Sequence, residues 1–237
     1  PFKGNCLSGS CYWPDFLKPE VHKWWSSLYK YKANESASNV YFLEELNEPT
    51  VFSSVDETFP KENVYFGGVE EREIRNLYGL LMSSSSYNGV VNRNNDKNVR
   101  PFVVSRSFFA GSQKYSMNFI KGENDFEFDL QRYLISMSVV SGLCGNPLTG
   151  FYMNGIESSH LIPQFYEAGV FCNFLLNGND DFLLNNLTFD FMLNLTKSRY
   201  EISPFLYTSI RVSYETGIPP VLPLFALFPE EENLHDV

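Results

Sequence analysis

The sequence predicts an α/β protein built on a parallel sheet, and three observations carry that expectation. Short apolar runs of strand character alternate with longer segments at helical spacing. Three of those runs end in polar groups, Glu45, Arg106 and Glu123. The 237 residues are 43% hydrophobic and 16% aromatic, enough for a packed core. Parallel crossovers are right-handed, so the C-terminal ends of such strands share one face. A closed barrel and a doubly wound sheet both satisfy this pattern.

Taken in order, Pro1–Pro14 reads as a Gly/Ser/Cys loop. Pro19–Tyr31 reads as a helix, with Val21, Trp24, Trp25 and Leu28 on one face. Pro19 suits the first turn and Glu20 the positive helix N-terminus. Val40–Leu43 is an apolar strand that breaks into Glu44, Glu45, Asn47 and Glu48 and stops at Pro49. Glu48–Gly68 is a long loop, of a length that in a compact domain is usually either functional or a wrongly assigned element. Glu70–Met82 is helical through Ile74, Leu77, Leu80 and Leu81, and Ser83–Arg100 is a polar, exposed turn. Phe102–Ser105 and Met117–Ile120 are strands, Phe128–Met137 is a helix, and Val139–Leu143 is a further short strand. Leu161–Gly169 is a helix and Val170–Leu176 a strand. Asp181–Ser198 is loop and helix, and Arg199–Thr216 is a helix broken early by Pro204. Pro219–Phe228 is an extended, Pro-punctuated strand.

Composition excludes several functions. A net charge of −10 leaves little to neutralise phosphates, so nucleic acid is not an expected partner. No run approaches the roughly 20 apolar residues of a membrane span, and Pro1–Cys6 has no signal-peptide apolar region. Of the four cysteines, Cys6 and Cys11 are spaced to bridge a short loop, while Cys144 and Cys172 sit in apolar runs as small hydrophobes. His22, His160 and His235 are scattered, so neither a metal nor a cofactor is expected. Asn34, Asn186 and Asn194 head glycosylation sequons, which matter only in the secretory pathway.

Two carboxylates on neighbouring strand ends suit acid/base work at a sugar. In a retaining glycosidase one carboxylate attacks the anomeric carbon while the other protonates the leaving oxygen and then activates water. Glu45 and Glu123 occupy such positions, although loop carboxylates at strand ends also cap helices or are simply solvated. Glu70-Glu71 and Glu230-Glu231-Glu232 read as solvated or capping runs.

Several stretches resemble glycoside hydrolase family 31, the retaining α-glucosidases. Gly4–Trp25 is similar to the family's Gly-x-Cys-Trp-Pro-Gly-Ser…Asp-Phe-x-x-Pro-x-Val-x-x-Trp-Trp segment, matching at Gly4, Cys6, Gly9, Ser10, Asp15, Phe16, Pro19, Val21, Trp24 and Trp25. The strand and loop to Phe52 resemble Trp-Asn-Asp-Met-Asn-Glu-Pro-Ser-Val-Phe. Phe66–Gly79 resembles Tyr-Gly-Gly-x-Glu-x-Arg-Glu…Asn-x-Tyr-Gly, and Arg106–Tyr115 resembles Arg-Ala-Phe-Phe-Ala-Gly-Ser-Gln-Arg-Tyr. Tyr207-Thr208 and Thr216–Leu224 resemble the helix and first strand beyond the family's barrel. The resemblance runs end to end, nearest the glucosidase II α-subunit branch.

The resemblance implies the C-terminal half of a (β/α)8 TIM barrel, strands four to eight, over residues 1–217. It also implies that residues 218–237 begin a β-sandwich, and that the chain is part of a longer protein. It implies hydrolysis of terminal α-linked glucose, with an α-glucoside or glucosylated glycan as substrate. A glucosidase II β-like subunit as partner and the endoplasmic reticulum lumen as location follow in the same way. Glu45 falls on the family's nucleophile and Glu123, in Gly122-Glu123-Asn124, on its acid/base; both are Asp in the family. Each Glu extends its carboxyl by up to about 1.5 Å, where about 1 Å matters to catalysis. The family's sugar-gripping Asp falls on Pro147, and its Arg and His on Leu176 and Gly178, while Arg106 is retained. Those departures leave an alternative open: a catalytically degenerate paralogue serving as a glycan-binding or scaffolding subunit.

Overall fold

The computed structural model describes residues 2–32, 37, 40–52, 58–93, 100–122, 127–153, 161–178 and 186–234. They form two compact units, Pro1–Met117 and Asn118–Val237.

The first unit opens with an antiparallel hairpin where the sequence reads as a loop. β1 (Phe2–Cys6) pairs with β2 (Gly9–Trp13), and a Cys6–Cys11 disulfide ties the two strands. The turn needs Gly9 at φ +103°, a left-handed conformation cheap for glycine, and that freedom hides the hairpin in a Gly/Ser-rich stretch. At its open end, Phe2 and Trp13 pack on Phe59, with ring centroids 4.9 and 5.5 Å away. Helix α1 (Pro19–Ser27) follows, with Pro19 in its first turn as expected. β3 (Phe42–Glu44) and β4 (Val103–Ser105) lie side by side and parallel. The unit's core is Phe16, Val51, Phe59, Tyr65, Ile74 and Tyr78.

A short helix α2 (Glu71–Ile74) is fastened by reciprocal bonds between Glu70 and Glu73. A 3-10 turn then leads to α3 (Tyr78–Val91). Here the expected turn from Ser83 is overturned: residues 83–91 are helical, and Ser83, Ser85 and Ser86 are buried. Serine carries no apolar periodicity, so a helix face that buries hydroxyls against polar partners is invisible to a hydrophobic pattern. α3 packs on α1 at Gly89, where a Cβ would stand 2.8 Å from the Ser26 carbonyl.

The second unit runs β5 (Met117–Gly122, whose first residue ends unit one), α4 (Glu127–Met137), β6 (Thr149–Met153), α5 (Leu161–Gly169), β7 (Phe174–Asn177) and α6 (Asn186–Thr216). β6 is parallel to both β5 and β7. Each strand is thus joined to its parallel neighbour through a helix, the crossover pattern the sequence predicts. The core clusters are Met153, Ile162, Phe165 and Met192, and Met137, Phe151 and Cys172.

Four expectations fail in this unit. Ser138–Leu143 extends α4 as a π-helical turn, and the strand falls at Thr149–Met153. An apolar run of five residues suits either state, and here the preceding helix captures it. Pro204 lies inside α6 without ending it; the flanking turns are held by Ser203 Oγ on the Arg199 carbonyl (2.9 Å) and Thr208 Oγ1 on the Pro204 carbonyl (2.8 Å). Between Pro219 and Phe228 the regular element is one short helix, α7 (Leu224–Leu227), because Pro219, Pro220 and Pro223 remove donors a ladder would use. Of the cysteines expected to pack, Cys172 is buried and Cys144 is exposed.

Candidate active site

The parallel register Phe42↔Val103, Leu43↔Val104, Glu44↔Ser105 brings the C-terminal ends of β3 and β4 level. The next residue on each strand is Glu45 on one and Arg106 on the other. The Arg106 N–H continues the ladder by donating to the Glu44 carbonyl at 3.1 Å. Both side chains are half-buried. Sequence-predicted Glu45 and Arg106 therefore sit on neighbouring strand ends, where a parallel fold presents catalytic groups.

The three glutamates of the loop separate by environment. Glu44 ends β3, and Glu45 opens the turn that follows. Glu44 is 7% exposed and turns to α3, where Ser83 Oγ donates to its Oε2 at 2.5 Å and Ser86 Oγ donates to its Oε1. Burial pushes the Glu44 carboxyl above its ordinary pKa, and the two serine hydroxyls offset part of that rise. Glu48 lies 3.6 Å from Arg106 Nε as an ion pair and accepts a bond from Thr50 Oγ1 at 3.4 Å. Its other oxygen, Oε2, is buried and finds no partner among the described residues. Arg106 is thus held by the loop that carries Glu45.

Asn47 was not singled out by sequence, yet it is fully buried. Its Oδ1 accepts the Ser107 N–H at 2.7 Å, and its Nδ2 donates to the Ser107 carbonyl at 2.8 Å. The Glu45 loop and the Arg106 loop are therefore joined by one amide. The apolar pattern carries no signal for this network, because the α3 residues that meet it are serines.

Glu123, the predicted acid/base, lies outside the described residues. Pro147, Leu176 and Gly178 lie in the second unit and serve the backbone. The Pro147 carbonyl accepts from Asn173 Nδ2, Leu176 belongs to β7, and the Gly178 N–H donates to the Met153 carbonyl at 2.7 Å. None of the three side chains can hydrogen-bond a hydroxyl. A pocket of about 310 Å³ in the first unit is lined by Trp13, Asp15, Lys18, Phe59, Tyr65 and others, but not by Glu45 or Arg106. No group of three His, Cys, Asp or Glu able to hold a metal occurs among the described residues.

The model of the glycosyl hydrolases family 31 TIM-barrel domain matches residues 1–209. The chain belongs to glycoside hydrolase family 31. It is 31% identical over 246 residues to a probable glucan 1,3-alpha-glucosidase of Oryza sativa subsp. japonica, covering 99% of this chain and 27% of that protein. It is 32% identical over 249 residues to neutral alpha-glucosidase AB of Mus musculus, covering 100% of this chain and 26% of that protein. Among solved structures, it resembles the glucosidase II alpha subunit in its Glc1Man2-bound form, with TM-score 0.85, 29% identity and coverage of 98% of this chain and 26% of that one. The chain spans about a quarter of the length of these relatives. Its fold is the α/β half barrel that the sequence predicted for this family. Among the described residues, no helix is long and apolar enough to cross a membrane.

Proposed function

We propose that this chain supplies the later half of the catalytic barrel of a retaining α-glucosidase-type hydrolase, which removes terminal α-linked glucose from an oligosaccharide or glucosylated glycan. The observation that supports it is the placement of Glu45 beside Arg106 at adjacent parallel strand ends. Glu45 attacks the anomeric carbon and forms a glycosyl ester. Glu123 protonates the departing oxygen, then takes a proton from the water that cleaves the ester. Arg106, tethered by Glu48, holds a sugar hydroxyl. A solved heterodimer of ER glucosidase II, a catalytic subunit with the binding domain of a regulatory subunit, has TM-score 0.84 and 28% identity to this chain. By that likeness the protein works in the endoplasmic reticulum lumen with a glucosidase II β-like subunit.

A second reading is favoured by Pro147, Leu176 and Gly178: a glycan-binding or scaffolding subunit without turnover. Hydrogen bonds to a buried substrate hydroxyl discriminate strongly, and those three positions supply none. Release of 4-nitrophenol from an aryl α-glucoside by the intact protein, abolished by Glu45→Gln, supports the hydrolase. Glycan binding with no release, unchanged by Glu45→Gln, supports the second reading.

A further inference from the structure

Glu45 is flanked at positions −1 and +2 by two buried polar side chains that meet on one hydroxyl. Ser83 Oγ on α3 donates to Glu44 Oε2 at 2.5 Å and accepts from Asn47 Nδ2 at 3.3 Å. Glu44, Asn47 and Ser83 are 7%, 0% and 1% exposed. On the far side, Ser86 Oγ bonds the other Glu44 oxygen and accepts from Trp25 Nε1 (2.9 Å) and Tyr29 Oη (2.8 Å). Asn47 in turn grips both backbone groups of Ser107, next to Arg106. A chain of bonds thus runs from α1 through α3 to both loops.

Such an arrangement is a poor device for stability alone. A carboxyl held out of water costs free energy, and an apolar residue at the helix-facing strand position would pack without that cost. What it supplies is direction: two oxygens and one amide fix the backbone on both sides of Glu45. We propose that Glu44, Ser83 and Asn47 are positioning residues that set the place of Glu45, and that Glu44 performs this role as a carboxylate. This rests on the reading of Glu45 as the nucleophile. The two serine donors favour the charged form of Glu44 and offset part of the rise that burial gives its pKa. Ser86 accepts from Trp25 and Tyr29 and donates to Glu44, with the Met82 carbonyl at 3.2 Å as a second acceptor for its hydrogen, and Ser83 donates to Glu44 while accepting from Asn47. Protonated Glu44 would oppose a hydrogen to one of these donors and loosen the link. The groups facing Glu44 are Ser83 and Ser86 from α3 and, beyond Ser86, Trp25 of α1 and Tyr29 after it. Ser105, its register partner on β4, bonds Ser116.

The test compares the intact protein with Ser83→Ala and Glu44→Gln by two readouts. Turnover of an aryl α-glucoside should lose at least about tenfold in kcat in both variants with KM nearly unchanged, as for loss of an interaction that matters in the transition state. In Ser83→Ala the acid limb of the kcat profile should also move to higher pH, because Glu44 has lost a donor that favours its charged form. The second readout needs no turnover: the Glu45 carboxyl carbon is followed by 13C NMR through the acidic range. It should show a second inflection where Glu44 ionises, lost in Glu44→Gln and moved to higher pH in Ser83→Ala. Titration curves identical in all three proteins overturn the proposal, as does unchanged kcat in both variants of an active enzyme. If the parent shows no turnover but the inflections behave as stated, the hydrolase reading fails and the positioning role stands.

Discussion

Replacing Asn47 by Ala removes the amide that joins the two loops of the candidate site. The side chain is fully buried and makes bonds of 2.7 and 2.8 Å with the two backbone groups of Ser107, and longer ones with Ser83 Oγ and the Gly79 carbonyl. Alanine strands the Ser107 N–H and C=O in a half-buried position. Each unsatisfied group costs about 1–3 kcal/mol, so the loss is about 3 kcal/mol in all. At about 2–4 °C per kcal/mol for this chain length, the melting temperature falls by about 6–12 °C. Differential scanning calorimetry of the 237-residue chain reads it, with a urea titration to check that the slope is unchanged. A fall below about 2 °C would show that Asn47 does not fasten the loops and would refute the geometry.

Three further outcomes follow from the packing. Gly79→Ala places a Cβ 2.6 Å from Ser107 Oγ and 2.9 Å from the Ser107 carbonyl, so the same loop is pushed away at a cost of about 1–3 kcal/mol, read as a lower urea midpoint. Arg199→Met withdraws a guanidinium that donates to the carbonyls of Gly169 (3.1 Å), Val170 (2.7 Å), Cys172 (2.5 Å) and Asn173 (3.2 Å), which should cost about 3 kcal/mol in thermal unfolding. The buried carboxyl of Glu44 has its pKa raised by desolvation, so the folded state holds that proton more tightly than the unfolded one. Its contribution to stability is therefore present below the ordinary carboxylate range and lost as pH rises through the raised value, at about 1.4 kcal/mol for each pH unit between the two. Stability measured against pH should fall less steeply over that window in Glu44→Gln.

How much of this could be read from the residues depends on the element. The strand carrying Glu45 was legible because its apolar run ends abruptly in acids, and Arg106 was legible for the same reason at the next strand. The family motifs then assigned roles that periodicity could not. The hairpin at Phe2–Trp13 was not legible, because a glycine turn and a disulfide, rather than a hydrophobic pattern, hold it. The continuation of α3 through Ser83–Val91 was hidden because its buried face is polar, and that same face holds Glu44 and Asn47. Val139–Leu143 shows the opposite error: an apolar run taken as a strand is claimed by the helix before it, and the strand lies at Thr149–Met153.

The central claim is that Glu45 attacks the anomeric carbon of an α-glucoside. The most direct measurement is 1H NMR of an aryl α-glucoside during the first turnovers of the intact protein and of Glu45→Gln. Double displacement predicts α-glucose as the first-formed anomer and no release from the Gln variant. First-formed β-glucose, or release that survives Glu45→Gln, would contradict it.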